Sequence, residues 1–229
     1  MQPGAAARPT KGKSAPAGSA LKLPAGVRKI AKPARATDIA LELTNTSLEA
    51  KKKNLISLGK TLGPSVPILS SSVTVSATTQ SGWIAHPERL TGLGALPSLL
   101  EGLVIELAPT RKTSPQVLTT VNEFAGTLGK ETAIVQDTVG LVMPRIICML
   151  ANEACYAIME EVATGRDIDT AMKLGTNYPR GPVEWAERIG MRQVLAVITA
   201  LHKSFRDDRY RAAPLLLQSA GSNTLLSQT

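Results

Sequence analysis

Residues 169–190, DTAMKLGTNYPRGPVEWAERIG, are the stretch that decides the fold of this 229-residue chain. The residue before a proline avoids the helical region of backbone space, so Tyr178 must be extended before Pro179. Gly181 then allows a turn, and Pro182 has the fixed backbone angle that suits the first position of a helix. The stretch is therefore predicted to end one helix and begin another, with the two packed together. By itself it is a packing motif that carries no chemistry.

Helical patterns surround this stretch in the last third of the chain. Apolar residues recur there with a helical period, which predicts helices over about 142–163, 166–174 and 182–204 and a last helix that begins at Pro214. No strand pattern accompanies them. We therefore predict that this part of the chain folds as an all-helical domain.

Upstream, strand patterns alternate with helical ones. The predicted strands cover about residues 39–43, 66–69, 90–95, 103–108 and 133–135. The sequence TSLE from Thr46 to Glu49 is typical of a capping box, which predicts a helix with Thr46 as its N-cap. Ser114 before Pro115 predicts the start of another helix. Strands that alternate with helices predict a parallel sheet of the α/β class.

The basic charge of the chain is concentrated at its N-terminus. The formal net charge is +8, and residues 1–36 hold eight of the 26 basic residues and no acidic one. The rest of the chain is neutral, with 18 basic and 18 acidic residues. Residues 1–36 lack an apolar period, so we predict a disordered basic tail. Because the body is neutral, nucleic acid is not an expected partner of the fold.

Hydropathy and the two cysteines indicate where in the cell the protein is expected. No apolar run approaches the roughly 20 residues that a membrane-spanning helix needs, so no membrane contact is expected. Cys148 and Cys155 lie seven residues apart in a helical pattern, a spacing that suits neither a disulfide nor a metal site. We predict buried, reduced thiols and a cytoplasmic location.

Several motifs resemble the 3-hydroxyacyl-CoA dehydrogenase family, with the bacterial 3-hydroxybutyryl-CoA enzymes the most similar. The resemblance covers about residues 38–220 and is strongest in the stretch quoted above. The residues that carry it are Asp169 to Gly175, Tyr178 to Pro182, Glu184 to Ala186, Asp137 to Gly140, Pro87 to Arg89, Gly92-Leu93 and Val104 to Glu106.

This resemblance implies a fold class of α/β plus all-α. It implies a partial Rossmann-like, nucleotide-binding domain over 37–136 and a helical dimerisation domain over 137–220, between tails at 1–36 and 221–229. The family reaction is the NAD-dependent oxidation of a 3-hydroxyacyl-CoA to a 3-oxoacyl-CoA. The implied cofactor is NAD, and the implied partners are an acyl-CoA and a second copy of the chain.

The Gly-rich turn that holds a dinucleotide in such folds is missing upstream of the first predicted strand. No G-x-G-x-x-G motif lies between Met1 and residues 39–43. We therefore expect the family's first β-α-β-α units to be absent and NAD binding to be weakened. The strand at 39–43 would then be an open edge that the tail or a partner must cover.

The proton-transfer residues of the family are also altered. The family's Glu falls on Glu106, but its catalytic His falls on Gly94 and its Asn falls on Pro144. Neither replacement can accept or donate a side-chain proton. The resemblance leaves one candidate catalytic residue, Glu106, and four candidate substrate-binding residues, Ser71, Ser72, Arg145 and Asn152.

The two histidines of the chain do not replace the missing one in this interpretation. His86 precedes a proline, and His202 lies near the end of a predicted helix, so both are expected at surface or boundary positions. Three hypotheses stay open: an impaired dehydrogenase, a non-catalytic acyl-CoA-binding or dimerisation module (or a truncated product), and a polyanion-binding protein.

Overall fold

A computed structural model gives the structure of residues 37–222 and 225–228. The predicted disordered tail at 1–36 lies outside these residues, as does part of the predicted tail at 221–229. The limits proposed for the two domains remain predictions.

A sheet forms the first part of the described chain. Its strands are β1 (Ala40–Glu42), β2 (Ile68–Ser71), β3 (Leu90–Leu93), β4 (Val104–Pro109) and β5 (Glu131–Ile134), and they lie side by side in that order. All neighbouring strands are parallel except β3 and β4, which are antiparallel. The α/β class with a mainly parallel sheet is confirmed, and the β3–β4 pair is the exception among the described strands. Residues 94–103 join the two strands without an α-helix, and a parallel pair needs a longer crossover connection.

Helices cover both faces of the sheet. They are α1 (Leu48–Thr61), α2 (Ala77–Ser81) and α3 (Pro115–Thr127). Leu55 of α1 packs with Ile68 and Leu90 on one face, and Val117 and Val121 of α3 pack with Leu69, Leu93 and Leu107 on the other.

The two predicted helix starts have different outcomes. Ser114 is the N-cap of α3 as predicted, since its hydroxyl accepts from Val117 N at 3.3 Å. The N-cap of α1 is Ser47 instead of Thr46, with Ala50 N donating to its hydroxyl at 3.2 Å. Two adjacent hydroxyl residues can each cap a helix, so the sequence alone does not separate them.

The second part of the described chain is helical, as predicted. Its helices are α4 (Met143–Met159), α5 (Gly165–Thr176), α6 (Pro182–Ile189), α7 (Met191–Phe205) and α8 (Pro214–Ser222). They enclose a core that includes the buried side chains of Trp185, Ile198, Leu201 and Leu216. The single helix predicted over 182–204 is wrong, because Gly190 has a φ of +93° that breaks it into α6 and α7.

The stretch at 169–190 joins α5 to α6 through one carboxylate. Val183 N and Glu184 N donate to the two oxygens of Asp169 at 2.8 and 3.0 Å, so a residue of α5 caps the start of α6. A Cβ on Gly181 would collide with that same carboxylate. The motif is therefore explained by packing, as predicted, and also by a cap from Asp169, which was not predicted.

Strand β1 is an edge of the sheet within the described residues, where it pairs with β2. Leu41 and Leu43 are 48% and 44% exposed there.

None of the helices between residues 37 and 228 that the structure describes is long and apolar enough to cross a membrane. Cys148 and Cys155 are buried and unpaired, which confirms the predicted reduced thiols.

Candidate functional site

A cleft of about 1060 Å³ separates the sheet from the helical part of the chain. One wall comes from the segments that follow β1 and β2 and is mainly polar; its residues include Asn45, Thr46, Ser47, Lys51, Thr74, Ser76 and Thr79. The other wall comes from α7 and α8 and is mainly apolar; its residues include Leu195, Ala196, Ala200 and Leu217. In open α/β sheets, ligands bind at the carboxyl ends of the strands, which is where the polar wall lies.

A buried ion pair stands at the base of the polar wall. The Lys51 ammonium donates to Glu42 Oε2 at 2.5 Å and to the Ser71 carbonyl at 2.9 Å, and the two side chains are 1% and 2% exposed. Burial lowers the pKa of Lys51, and the Glu42 carboxylate only partly restores it. Burial raises the pKa of Glu42, but hydrogen bonds led by the one from Lys51 outweigh this, so the pKa lies below its ordinary value. The pair therefore holds opposite charges beside the cleft.

Sequence reasoning missed Lys51. Its position could have signalled a special role, because it lies on the buried stripe of α1 with Leu55 and Leu58. A lysine on such a stripe must be paired, since an isolated buried ammonium is costly.

Glu106 anchors the helical part of the chain to the sheet. Val142 N donates to its Oε2 at 3.0 Å, and Met143 N donates to its Oε1 at 2.7 Å. These amides belong to the start of α4, where a carboxylate is stabilised by the unpaired N–H groups and the helix dipole. The side chain predicted as catalytic is 8% exposed, and both of its oxygens are engaged by backbone.

Gly94 lies against Glu106, as the resemblance implies for the missing histidine. A Cβ at Gly94 would lie 3.1 Å from Glu106 Cβ and 3.3 Å from Glu106 Oε2. Pro144 is buried in the first turn of α4, beside the amides that Glu106 binds. The structure thus brings the three positions together, and the hydrogen bonds to the Glu106 carboxylate among the described residues come from backbone amides. His86 is exposed and hydrogen-bonded to Glu88, and neither it nor His202 lines the cleft in the described chain.

Ser71 and Ser72 are fully buried beneath the polar wall. The Ser71 hydroxyl donates to the Ala95 carbonyl at 3.1 Å, and the Ser72 hydroxyl donates to the Ser70 carbonyl at 3.2 Å. Gln80 Nε2 also donates to the Ser72 hydroxyl at 3.3 Å. Both hydroxyls therefore donate to backbone carbonyls within the protein, and their substrate-binding role remains a prediction.

Arg145 and Asn152 lie outside the cleft. Arg145 donates to the Val139 carbonyl at 2.9 Å, and its guanidinium lies 4.7 Å from the centre of the Phe205 ring. Asn152 is 2% exposed and joins α4 to the segment before α8, donating to the Arg211 carbonyl and accepting from Ala213 N at 2.9 Å each. The structure does not bring either residue together with Glu106, and their binding roles remain predictions.

The described residues support neither a metal site nor a reactive cysteine. No group of three or more His, Cys, Asp or Glu side chains that could hold a metal occurs in residues 37–222 and 225–228. Burial raises the pKa of the Cys148 thiol far above its ordinary range and that of Cys155 to about 12. Both thiols therefore stay protonated and unreactive near neutral pH.

A sheet with a cleft at the carboxyl ends of its strands, followed by a helical domain, defines a Rossmann-like α/β protein with an added helical part. The model of the NAD binding domain of 3-hydroxyacyl-CoA dehydrogenase matches residues 5–138, and that of the C-terminal domain matches residues 140–228. The chain belongs to the 3-hydroxyacyl-CoA dehydrogenase family.

Individual relatives agree with this family. A 3-hydroxybutyryl-CoA dehydrogenase of Bradyrhizobium diazoefficiens is 31% identical over 79% of this chain and 62% of the relative. A probable 3-hydroxybutyryl-CoA dehydrogenase of Bacillus subtilis is 30% identical over 78% of this chain and 62% of the relative. The crystal structure of (S)-3-hydroxybutyryl-CoA dehydrogenase from Ralstonia eutropha superposes with a TM-score of 0.72 at 31% identity, covering 83% of this chain and 68% of that one.

The chain spans about 62% of the length of these curated relatives. It nevertheless matches both domains of the family, and the NAD binding domain match reaches back to residue 5. The expected absence of the first β-α-β-α units concerns residues outside the described part of the chain. That expectation therefore remains a prediction, and the missing Gly-rich turn upstream of β1 remains its basis.

Proposed function

We propose that this chain binds NAD and a 3-hydroxyacyl- or 3-oxoacyl-CoA in the cleft but catalyses the family's oxidation and reduction poorly. The observation that carries the proposal is the contact between Gly94 and Glu106. The position beside the carboxylate has no side chain, and both carboxylate oxygens accept from backbone amides.

The chemistry explains the expected impairment. Oxidation of the 3-hydroxyl group requires a base that takes its proton, and reduction of the 3-oxo group requires an acid that returns it. Gly94 can do neither, and Pro144 has no polar side chain with which to orient the substrate. Glu106 is held as a capping carboxylate for α4 and acts as an anchor. A base acting through water at Glu106 would first have to exchange one of these amide bonds.

The described cleft fits the nicotinamide end of a dinucleotide. It is large enough for such a ligand and lies at the carboxyl ends of β1 and β2. Asn45 in its polar wall is 7% exposed, and no hydrogen-bond partner for its Oδ1 occurs among the described residues. Asn45 and Ser47 would face the bound group, and NAD would supply the hydride acceptor.

The opposite wall suits an acyl-CoA. The side chains of Leu195, Ala196 and Leu217 can cover an acyl chain, because they present apolar surface to the cleft. Arg192 and Lys203 line the same cleft and can attract the phosphates of coenzyme A.

The test is steady-state oxidation of NADH by the purified chain with acetoacetyl-CoA, beside the Bradyrhizobium enzyme as an active control. General acid–base catalysis contributes about 10²–10⁴-fold, so we expect a rate at least about 100-fold below the control, with binding of both ligands retained in calorimetry. Turnover near the control rate would contradict the impairment. Absence of binding by both ligands would contradict the assignment of the cleft.

A second candidate function is a non-catalytic dimerisation module, supported by an apolar face on α4. Val142, Met143 and Ile146 are 46%, 46% and 48% exposed, and Ile146 lies with Met149 and Leu150 in a shallow groove. Exposed apolar residues at helical spacing are typical of a face that packs on another helix. A homodimer formed through α4 is therefore our proposed assembly, and it is compatible with either function.

The cytoplasmic location is also a proposal. It is supported by the buried, unpaired thiols of Cys148 and Cys155, since proteins of oxidising compartments tend to pair their cysteines. Fluorescence of the tagged full chain in its source cells would test it, with an extracytoplasmic signal as the contradicting result.

A further inference from the structure

Trp83 is a half-buried aromatic side chain that lines the cleft, two residues after the end of α2. It packs against the core that contains Leu55 and Ile84, and part of its surface faces the cleft. The second tryptophan of the chain, Trp185, is buried in the core of the helical part instead. A tryptophan that is partly exposed in a cleft offers a flat surface on which another ring can stack. Trp83 is therefore a candidate contact for a ligand with an aromatic ring.

The start of α1 adds an apolar and a cationic side chain beside Trp83. Leu48 is 55% exposed and lines the same cleft. Lys52 follows one helical turn later, and its ammonium lies 5.9 Å from the centre of the Trp83 ring. A lysine at an exposed site is attracted to a ring only weakly, so a flat group can take its place over the ring. The displaced ammonium then remains close enough to pair with an anionic group of the same ligand.

These side chains together suit a planar ring that carries a phosphate. We propose that Trp83 stacks on the adenine of an acyl-CoA and that Lys52 pairs with the 3′-phosphate of the same nucleotide. The inference rests on the proposed binding of an acyl-CoA in the cleft, and it adds where the nucleotide end of that ligand lies. Every base has a flat π-surface that an aromatic side chain can cover, and in coenzyme A the 3′-phosphate is attached to the ribose next to the base. Trp83 is a binding residue in this proposal and takes no part in proton transfer.

The adenine of NAD is the other ring that the cleft could receive. In dinucleotide-binding sheets the two halves of the ligand lie over two halves of the sheet. With the nicotinamide at the carboxyl ends of β1 and β2, the adenine half would extend past the β1 edge. Trp83 follows α2, whose Ala77 packs with Leu90 of β3, on the opposite side of β2 from β1. The position of Trp83 and the nearby cation therefore favour coenzyme A, because the adenosine of NAD carries no 3′-phosphate.

The first measurement is tryptophan fluorescence of the full chain during titration with acetoacetyl-CoA and with fragments of coenzyme A. Stacking of adenine on the indole ring should quench the emission of Trp83, whereas the buried Trp185 gives a constant background. We expect quenching by acetoacetyl-CoA and by adenosine 3′,5′-bisphosphate. We expect none from the 4′-phosphopantetheine thioester of the same acyl group, which lacks the nucleotide. ADP-ribose, which carries the adenine of NAD, should quench less than the bisphosphate at equal concentration.

The second measurement is calorimetric titration of acetoacetyl-CoA and the phosphopantetheine thioester into variants of the full chain. Base–aromatic stacking contributes about 5- to 150-fold in affinity, so Trp83→Leu should lower the ratio of the two affinities by that factor, and this ratio cancels any general loss of binding. Trp83→Tyr keeps an aromatic ring and should keep most of the ratio. The matched control is Phe124→Leu, at a half-buried aromatic residue of α3 outside the cleft, which should keep the wild-type ratio. Far-UV circular dichroism verifies that each variant is folded.

Three results overturn the inference, and only the last also overturns the proposed function. Acetoacetyl-CoA that binds without quenching, or a Trp83→Leu ratio equal to that of the wild type, means that adenine does not stack on Trp83. Stronger quenching by ADP-ribose than by adenosine 3′,5′-bisphosphate means that Trp83 receives the adenine of NAD instead. If the wild-type chain binds no acetoacetyl-CoA in calorimetry, the proposed binding of an acyl-CoA is wrong, and the role of Trp83 falls with it.

Discussion

Replacement of Glu106 by glutamine tests whether this side chain is an anchor for α4. The two carboxylate oxygens accept from Val142 N and Met143 N at 3.0 and 2.7 Å. Glutamine keeps one acceptor oxygen and presents an NH₂ group to the second amide, so one charge-assisted hydrogen bond is lost. A hydrogen bond to a charged group contributes roughly 1.5 to 3 kcal/mol, and the lost carboxylate charge at a helix N-terminus adds a few tenths. We expect the free energy of unfolding to fall by about 2 to 3 kcal/mol.

The assay is thermal unfolding followed by far-UV circular dichroism. For a chain of this size, one kcal/mol shifts the Tm by about 2 to 4 °C, so Glu106→Gln should lower it by roughly 4 to 12 °C. The matched control is Glu123→Gln on the exposed side of α3, which should leave the Tm within about 2 °C because surface substitutions cost little. A Glu106→Gln variant that unfolds with the wild type would refute the anchoring role.

Three further predictions follow from the same structure. Lys51→Met leaves the Glu42 carboxylate buried without its partner, so the free energy of unfolding in urea should fall by about 3 to 5 kcal/mol, and an unchanged midpoint would contradict the pairing. The pKa of Glu42 lies below its ordinary value of 4.5 in the folded chain, so its stabilising contribution is complete above pH 4.5 and is lost as the pH falls through the lowered pKa. Glu42→Gln should therefore flatten the acid limb of the stability curve, and parallel acid limbs for the variant and the wild type would argue against this. Ile146→Glu places a charge on the apolar face of α4 and should convert the proposed dimer into a monomer in sedimentation equilibrium, whereas an unchanged mass would exclude that face as the interface.

The sequence predicts the start of a helix well where the residue type allows a single backbone conformation. A serine before a proline starts α3, and Pro182 starts α6, because the backbone angle of proline is fixed before folding. The sequence also indicates that Gly181 is needed in a turn. It does not reveal that Gly181 makes room for the Asp169 carboxylate, because this contact joins two different helices.

Errors arise where local signals are ambiguous. Gly190 within a helical pattern can be tolerated or can break the helix, and its positive φ is decided by how α6 and α7 pack. Strands β3 and β4 are antiparallel because residues 94–103, which join them, contain no crossover helix. The general alternation of strands and helices does not show this local exception.

The candidate site likewise has one feature that the sequence predicts and others that it does not. The juxtaposition of Gly94 with Glu106 follows from the family resemblance, and the structure places them in contact. The capping role of Glu106 could not be predicted, since it depends on where α4 begins relative to β4. The buried Asn45 acceptor, for which the described residues supply no donor, could not be predicted either, because a single sequence does not show which polar atoms lack a partner after folding.

The central claim is that the chain lacks the group that moves the proton while its ligand cleft persists. The most direct measurement is the rate of NADH oxidation with saturating acetoacetyl-CoA for the Gly94→His/Pro144→Asn variant and for the wild type. The control is Gly126→His on the open face of α3, where an added Cβ has no neighbour within 4 Å. A histidine beside Glu106 can return the substrate proton, so the account predicts a rate at least about 10-fold above the wild type, with no change in the control. A folded double variant that binds both ligands and is no faster than the wild type would contradict it.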